Sequence, residues 1–203
     1  MAIDESGARR VLFLLSSGRG DGNAELLARR AAASLPHDAE QVWLRHSDYP
    51  LPEYVDMRHT EALHQPMVEN ARILLEKTLW ATDLVFVAPV YWYSVPASSK
   101  LYLDYWANWL REPGVDFRAR MAGKTFWAIT VLSERELHQA KPLLGTLQLC
   151  ATYLKASWGG SMVGFGNRPG DVAAEAAALA DADKLFSART DLAGAFAEAA
   201  VTR

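Results

Sequence analysis

Only one cysteine, Cys150, occurs in 203 residues. A lone thiol excludes an internal disulfide and a cysteine-built metal cage. It shares an apolar helical face with Leu143, Leu147 and Leu154, so it reads as a small buried hydrophobe. An excess of charge of one sign is missing too. There are 21 basic and 24 acidic residues, a net charge of −3 and a pI near 6.0. That balance argues against nucleic acid or an anionic membrane as the main partner. It also argues against a small electron carrier that steers by a strongly acidic surface. Long hydrophobic runs are absent. The run behind the polar N-terminus, Val11 to Leu15, is too short for a signal peptide or a membrane span, and a cytoplasmic protein is expected. The five histidines make no metal pair at helical spacing. His37, His46, His59 and His64 fall in or near loops and His138 follows a strand, so all five read as solvated, and no metal is expected.

What is present is a sizeable apolar fraction, 50% of the residues. That suits one α/β domain over residues 1–203 and leaves little room for two. Strand-length apolar runs alternate with helical patterns. Strands are predicted at Arg10 to Ser16, Gln41 to Arg45, Asp83 to Ala88, Thr125 to Leu132 and Trp158 to Val163. Helices are predicted from Asn23 to Leu35, from near Pro66 to Leu79, from Pro96 to about Leu110 and over Leu143 to Leu154. One or two more are expected between Asp171 and Ala200. The charged segment from Arg111 to Gly123, with Pro113-Gly114, reads as a loop. Three strands are continuous apolar runs, the mark of a parallel sheet covered on both faces. Five strand–helix units in this length predict a three-layer, doubly wound α/β fold with a five-stranded parallel sheet.

In such a sheet, ligands bind beyond the carboxyl ends of the strands. The loop after the first strand, Ser16-Ser17-Gly18-Arg19-Gly20-Asp21-Gly22-Asn23, combines hydroxyls, glycines and an arginine at a helix start. These are the groups a phosphate needs: backbone N–H donors, a helix N-terminus and a cation. It lacks the Gly-Lys-Ser/Thr ending of the nucleoside triphosphate loop and misses the dinucleotide spacing. A glycine-rich turn that binds nothing is the other reading. The loop after the third strand, Pro89-Val90-Tyr91-Trp92-Tyr93-Ser94-Val95-Pro96, sets three aromatics where turns usually place Gly, Asn or Asp. They either pack under a neighbour or hold something flat. The loop after the fourth strand, Ser133-Glu134-Arg135-Glu136-Leu137-His138, is charged, and its side chains read as solvated. The first two loops on one edge suit a mononucleotide with a flat ring system, which describes FMN.

At these residues the chain resembles the NAD(P)H-dependent FMN reductase family, of flavodoxin-like fold. The likeness rests on Ser17 to Asn23, on Pro89 to Pro96 with Lys100 soon after, on Gly123-Lys124 before the fourth strand, and on Gly170-Asp171-Val172 at a late helix start. It spans about residues 9 to 186. It implies strand order 2-1-3-4-5 and a homodimer or homotetramer. It places Ser17, Arg19, Gly22 and Asn23 on the FMN phosphate with Ser16 beside them. It wraps Pro89, Val90, Tyr91, Trp92, Tyr93 and Ser94 around the isoalloxazine and ribityl chain. In many relatives a glycine-rich turn after the fourth strand approaches the ring. Here that turn begins with Ser133, and Glu134, which would oppose a negatively charged reduced ring, is expected to point away.

The expected function is hydride transfer from NADPH or NADH to bound FMN, then delivery to a small acceptor such as a quinone or flavin. The cofactor carries that chemistry, so no catalytic side chain is assigned. The rivals are a flavodoxin-like electron carrier and a flavin-free interaction protein. The last would use Tyr102, Tyr105, Trp106 and Trp109 as its partner surface. Within the enzyme reading, the same aromatic face is expected either in the core or at a dimer contact.

Overall fold

The continuous apolar runs become the inner strands of one parallel sheet. The computed structural model describes residues 8–62 and 64–186. Its strands are β1 (Arg10–Leu15), β2 (Glu40–Arg45), β3 (Asp83–Pro89), β4 (Thr125–Leu132) and β5 (Ser157–Phe165), in the order β2-β1-β3-β4-β5. All four pairings are parallel. The helices are α1 (Asn23–Ala32), α2 (Glu69–Trp80), α3 (Ala97–Trp109), α4 (Phe117–Met121), α5 (Lys141–Tyr153) and α6 (Ala176–Lys184).

Alternation along the strands feeds two separate cores, which is why the runs are unbroken. Leu12, Leu14, Leu84, Phe86, Phe126 and Ala128 face one side, with Leu75 of α2, Trp106 of α3 and Leu147 of α5. Val11, Phe13, Val85, Val87, Trp127 and Ile129 face the other, with Leu27 of α1 and Ala182 of α6. Trp127 lies so close to β5 that a Cβ on Gly159 would come within 2.3 Å of its ring. Only glycine fits there. Trp127 also donates from Nε1 to Asp83 Oδ1 at 2.8 Å, and Arg9 pairs with the same oxygen at 2.8 Å, so this buried carboxylate is fully engaged.

The aromatic face of α3 belongs to the first core. Tyr102 and Trp109 are wholly buried, and Tyr105 and Trp106 nearly so. Trp106 meets Phe86, Phe117 and Phe126 with ring centroids 5.8 to 6.4 Å apart. This corrects the partner-surface reading of that helix, because no solvent-facing ring is left to offer. A Trp109→Ala change would cost about 3–5 kcal/mol.

The differences from the sequence expectations have local causes. Helix α1 stops at Ala32, before Leu35. The backbone tightens into shorter-range bonds at Ala33, Ser34 and Leu35, the Ser34 hydroxyl takes Ala31 O at 2.8 Å, and Pro36 follows. Helix α2 starts at Glu69, because Val68 is still extended. Pro96 caps α3 from outside its first turn. Strand β5 runs to Phe165, beyond Val163. The expected loop from Arg111 to Gly123 contains α4, a single turn held by Phe117 and Met121, which are four apart and both buried. The last expected helix is described only as far as residue 186; residues 187–203 lie outside the described part.

Two buried polar side chains were also misread or unread. His46 is not solvated. It sits 6% exposed in the turn after β2 and stacks on Tyr102, with centroids 5.2 Å apart. Neither ring nitrogen has a partner among the described residues, and burial pushes its pKa down to about 4. Lys124 donates from Nζ to Leu79 O at 3.0 Å and to Ala81 O, closing the end of α2. Cys150 is half-buried on α5, and burial pushes its thiol up.

Candidate functional site

The carboxyl ends of four strands open into one cleft of about 350 Å³, within the usual size range for small-molecule sites. It is built loop by loop.

The loop after β1 forms one end. Ser16 continues the sheet, donating its N–H to Val87 O at 3.0 Å. Its hydroxyl bonds Ser99 and its carbonyl accepts from Ser98 Oγ at 3.1 Å. Ser16 is thus a buried strut between β1 and the start of α3. Ser17, Arg19, Gly22 and Asn23 line the cleft. Ser17 Oγ accepts from Arg19 N at 3.1 Å. Arg45, at the end of β2, donates to Ser17 O at 2.8 Å and Arg19 O at 2.6 Å. Gly22, Asn23 and Ala24, at the start of α1 where backbone N–H groups lack helical partners, border this end. The Arg19 guanidinium makes no ion pair among the described residues.

The loop after β3 forms the next wall through Pro89, Val90 and Tyr91. Val90 N donates to Val131 O at 3.1 Å, which carries the β3–β4 pairing one residue further. Tyr91 and Ser94 then exchange two backbone bonds, of 3.2 and 3.0 Å. Trp92 and Tyr93 between them are left-handed, with φ of 49° and 65°. This is a type I′ turn, which favours Asn-Gly; two aromatics in it store about 1–2 kcal/mol each. Trp92, Tyr93 and Ser94 do not line the cleft. They form an exposed tip, with Trp92 92% and Tyr93 53% exposed. Tyr91, 51% exposed, faces both the cleft and solvent.

Ser133, after β4, lines the cleft, whereas Glu134, Arg135 and Glu136 do not. Arg135 reaches over to Glu175 and lies 5.1 Å from the centre of the Phe165 ring.

The fourth wall, Gly166, Asn167 and Pro169 after β5, was missed in the sequence. It is tied to α1 by Asn23. That side chain donates to Arg168 O at 2.9 Å and accepts from Gly170 N at 2.9 Å and Val172 N at 3.4 Å. A Cβ on Gly166 would come 2.7 Å from Asn23 Nδ2, so only glycine allows this approach. Asp171 accepts from the N–H groups of Arg168 and Asn167 at 2.7 and 3.0 Å, which holds its carboxyl below the usual range. The only visible signal for this wall was Gly170-Asp171-Val172. The carboxamide of Asn23 is therefore spent on protein, and its backbone N–H is what it leaves for a ligand.

Electrostatically the cleft is one-sided. Among the described residues Arg19 is the single charged one lining it, and no carboxylate does. A cation, a helix N-terminus and a glycine-rich loop stand at one end, and apolar and aromatic groups along the wall. These fit an anionic group joined to a flat one. The model of the NADPH-dependent FMN reductase family matches residues 9–183.

The chain belongs to that family.

As a member of the NADPH-dependent FMN reductases it has FMN as cofactor and NADPH or NADH as electron donor. It is 30% identical over 178 residues to YwqN of Bacillus subtilis, provisionally named an NAD(P)H-dependent FMN-containing oxidoreductase, covering 87% of this chain and 96% of YwqN. Among solved structures it is similar to the Trp repressor binding protein of Bacillus subtilis, at 27% identity and a TM-score of 0.69, over 89% of this chain and 99% of the other. A Bacillus anthracis FMN-dependent NADH-azoreductase, solved with FMN, matches at 11% identity and a TM-score of 0.63, over 88% and 98% of the two chains. At that identity the last match shows the shared fold alone. Among the described residues no helix is long and apolar enough to cross a membrane.

Proposed function

We propose that this reductase binds FMN in the four-loop cleft, with the phosphate on the β1–α1 loop and the ring along Pro89 to Tyr91, and reduces a small flat acceptor such as a quinone or a free flavin. The observation that carries this is the one-sided cleft: Arg19 and the α1 N-terminus at one end, no lining carboxylate among the described residues, and an apolar wall at the other. Ser17, Arg19 and the backbone N–H groups of Gly22 and Asn23 hold the phosphate. Pro89, Val90 and Tyr91 shelter the ring, and Ser133 borders it on the β4 side. Ser16 supports the floor, and Trp92, Tyr93 and Ser94 form the rim over which donor and acceptor enter. Bound flavin supplies reversible hydride and electron chemistry; the protein orients it and limits water at the ring.

The YwqN name supports the oxidoreductase reading. We read the chain as a cytoplasmic homodimer with no nucleic-acid or membrane partner. The exposed Leu149 and Tyr153 beside the groove between α3 and α5 are the surface a second copy would cover. The deciding experiment is the absorption spectrum of the purified protein with FMN, followed by anaerobic NADPH or NADH and then acceptor. Bleaching by nicotinamide and recolouring by a quinone is the expected result. A flavin that stays oxidised with both nicotinamides would remove the enzyme reading and leave the electron carrier.

A further inference from the structure

We infer that Arg45 is the positioning residue that holds the glycine-rich loop in shape, keeping the cleft-lining residues Ser17 and Arg19 turned to the phosphate of the bound nucleotide. This rests on the reading of the cleft as an FMN site. Arg45 is the last residue of β2, and no sequence motif marks it. Its Nη1 donates to Ser17 O and Arg19 O at 2.8 and 2.6 Å, and its Nη2 pairs with Glu25 Oε2 at 2.5 Å. The side chain is only 16% exposed.

A trans peptide sets its C=O and the following N–H on opposite sides of one plane. Fixing the carbonyls of Ser17 and Arg19 on Arg45 therefore sets the two peptide planes that follow these cleft-lining residues, and with them the backbone that carries the Ser17 hydroxyl and the Arg19 side chain. A Cβ on Gly18 or Gly20 would have no atom within 4 Å, so no described neighbour packs against the loop at those two positions. Among the described residues the loop has a further restraint in the local bond from Arg19 N to Ser17 Oγ.

Arg45 has a second effect. Glu25 lies in the first turn of α1, where the helix dipole favours an acid, but where an acid also competes with an anionic ligand. Arg45 and Arg29, the latter at 3.0 Å, both bind the Glu25 carboxylate. That leaves Arg19 as the cation facing the phosphate.

The test compares FMN with riboflavin, which has the same ring and ribityl chain but no phosphate. Dissociation constants for both are measured by quenching of flavin fluorescence in the wild type, Arg45→Met and Arg45→Lys, with melting temperatures alongside. Arg45→Met is expected to raise the FMN constant about 10- to 100-fold, while riboflavin binding stays within about twofold. Arg45→Lys keeps the charge but cannot hold two carbonyls and a carboxylate with one ammonium, so it restores only part of the preference. A role confined to packing would lower the melting temperature and weaken both flavins alike; that unchanged ratio overturns the inference. If Arg45→Met fails to fold, Arg45→Lys decides: a reduced FMN preference supports the inference and a wild-type preference overturns it. A wild type that does not distinguish the two flavins overturns the phosphate site and this inference together. A discriminating wild type with unchanged ratios in the variants overturns this inference alone.

Discussion

Asn23 accepts a hydrogen bond from the backbone of Gly170, 147 residues further along the chain, at 2.9 Å. That bond and its partner to Arg168 O join the first and last loops of the cleft. Asn23→Asp tests the clamp with almost no change in shape. An aspartate can still accept from Gly170 and Val172 but cannot donate to Arg168 O, and it sets a negative charge beside the phosphate end. We expect a stability loss of about 1–3 kcal/mol by urea unfolding, together with weaker FMN binding. A variant of wild-type stability would show that the carboxamide is not a clamp.

The Arg19 guanidinium makes a sharper case, because it faces the cleft without an ion pair among the described residues. Arg19→Ala should leave the melting temperature near wild type. It should weaken FMN by about 1–3 kcal/mol through the loss of a charge-assisted bond to the phosphate. Unchanged affinity in a flavin titration would remove Arg19 from the site.

Strain at the tip of the β3–α3 loop gives a prediction of opposite sign. Trp92 and Tyr93 are both left-handed, and neither is a residue such a turn selects. Replacing the pair by Asn-Gly, through Trp92→Asn and Tyr93→Gly, should raise stability by about 1–2 kcal/mol or more. If the rings guide flat substrates, the Michaelis constant for a quinone should rise while FMN affinity holds. A double variant with an unchanged Michaelis constant would mean that the rings do not guide substrate, and one no more stable than the wild type would mean that the turn is not strained.

His46 predicts acid sensitivity. Its pKa is about 4 in the fold against 6.5 in the open chain, so the unfolded state binds the proton first as pH falls. Stability from the neutral ring is present above pH 6.5 and is lost on the way down to pH 4. Between pH 7.5 and pH 5 the loss is on the order of 2 kcal/mol. His46→Phe keeps a ring on Tyr102 and removes both unpartnered nitrogens. Urea unfolding at the two pH values should show that component in the wild type and not in the variant. Equal pH dependence in both would assign the acid sensitivity elsewhere.

The sheet was legible because its signal is local. Val11 to Leu15 and Leu84 to Ala88 are apolar on both faces, and only a covered parallel sheet asks for that. The glycine-rich loop after β1 and the aromatic turn stood out because glycines and rings in loops are unusual in themselves. Four features were not. Arg45 looks like any charged strand end until the fold sets it against Ser17 O and Arg19 O. Gly166 needs Asn23 beside it before its missing Cβ matters. His46 carries no sequence mark of burial, since only the packing of α3 puts Tyr102 over it. Phe117 and Met121 form a turn of helix inside a stretch whose charges and Pro113-Gly114 read as loop. The first three of these depend on a partner far away in the chain, which periodicity and spacing do not report.

In the proposed site one FMN lies across the four loops with its phosphate at the β1–α1 end. The most direct measurement is the structure of the protein solved with FMN bound. The phosphate oxygens should lie within about 3.2 Å of donors from Arg19, Ser17 and the first turn of α1, with the ring against Pro89 to Tyr91 and bordered by Ser133. A flavin seated in the groove between α3 and α5, or one turned so that its phosphate meets Ser133 and its ring meets Arg19, would contradict the account.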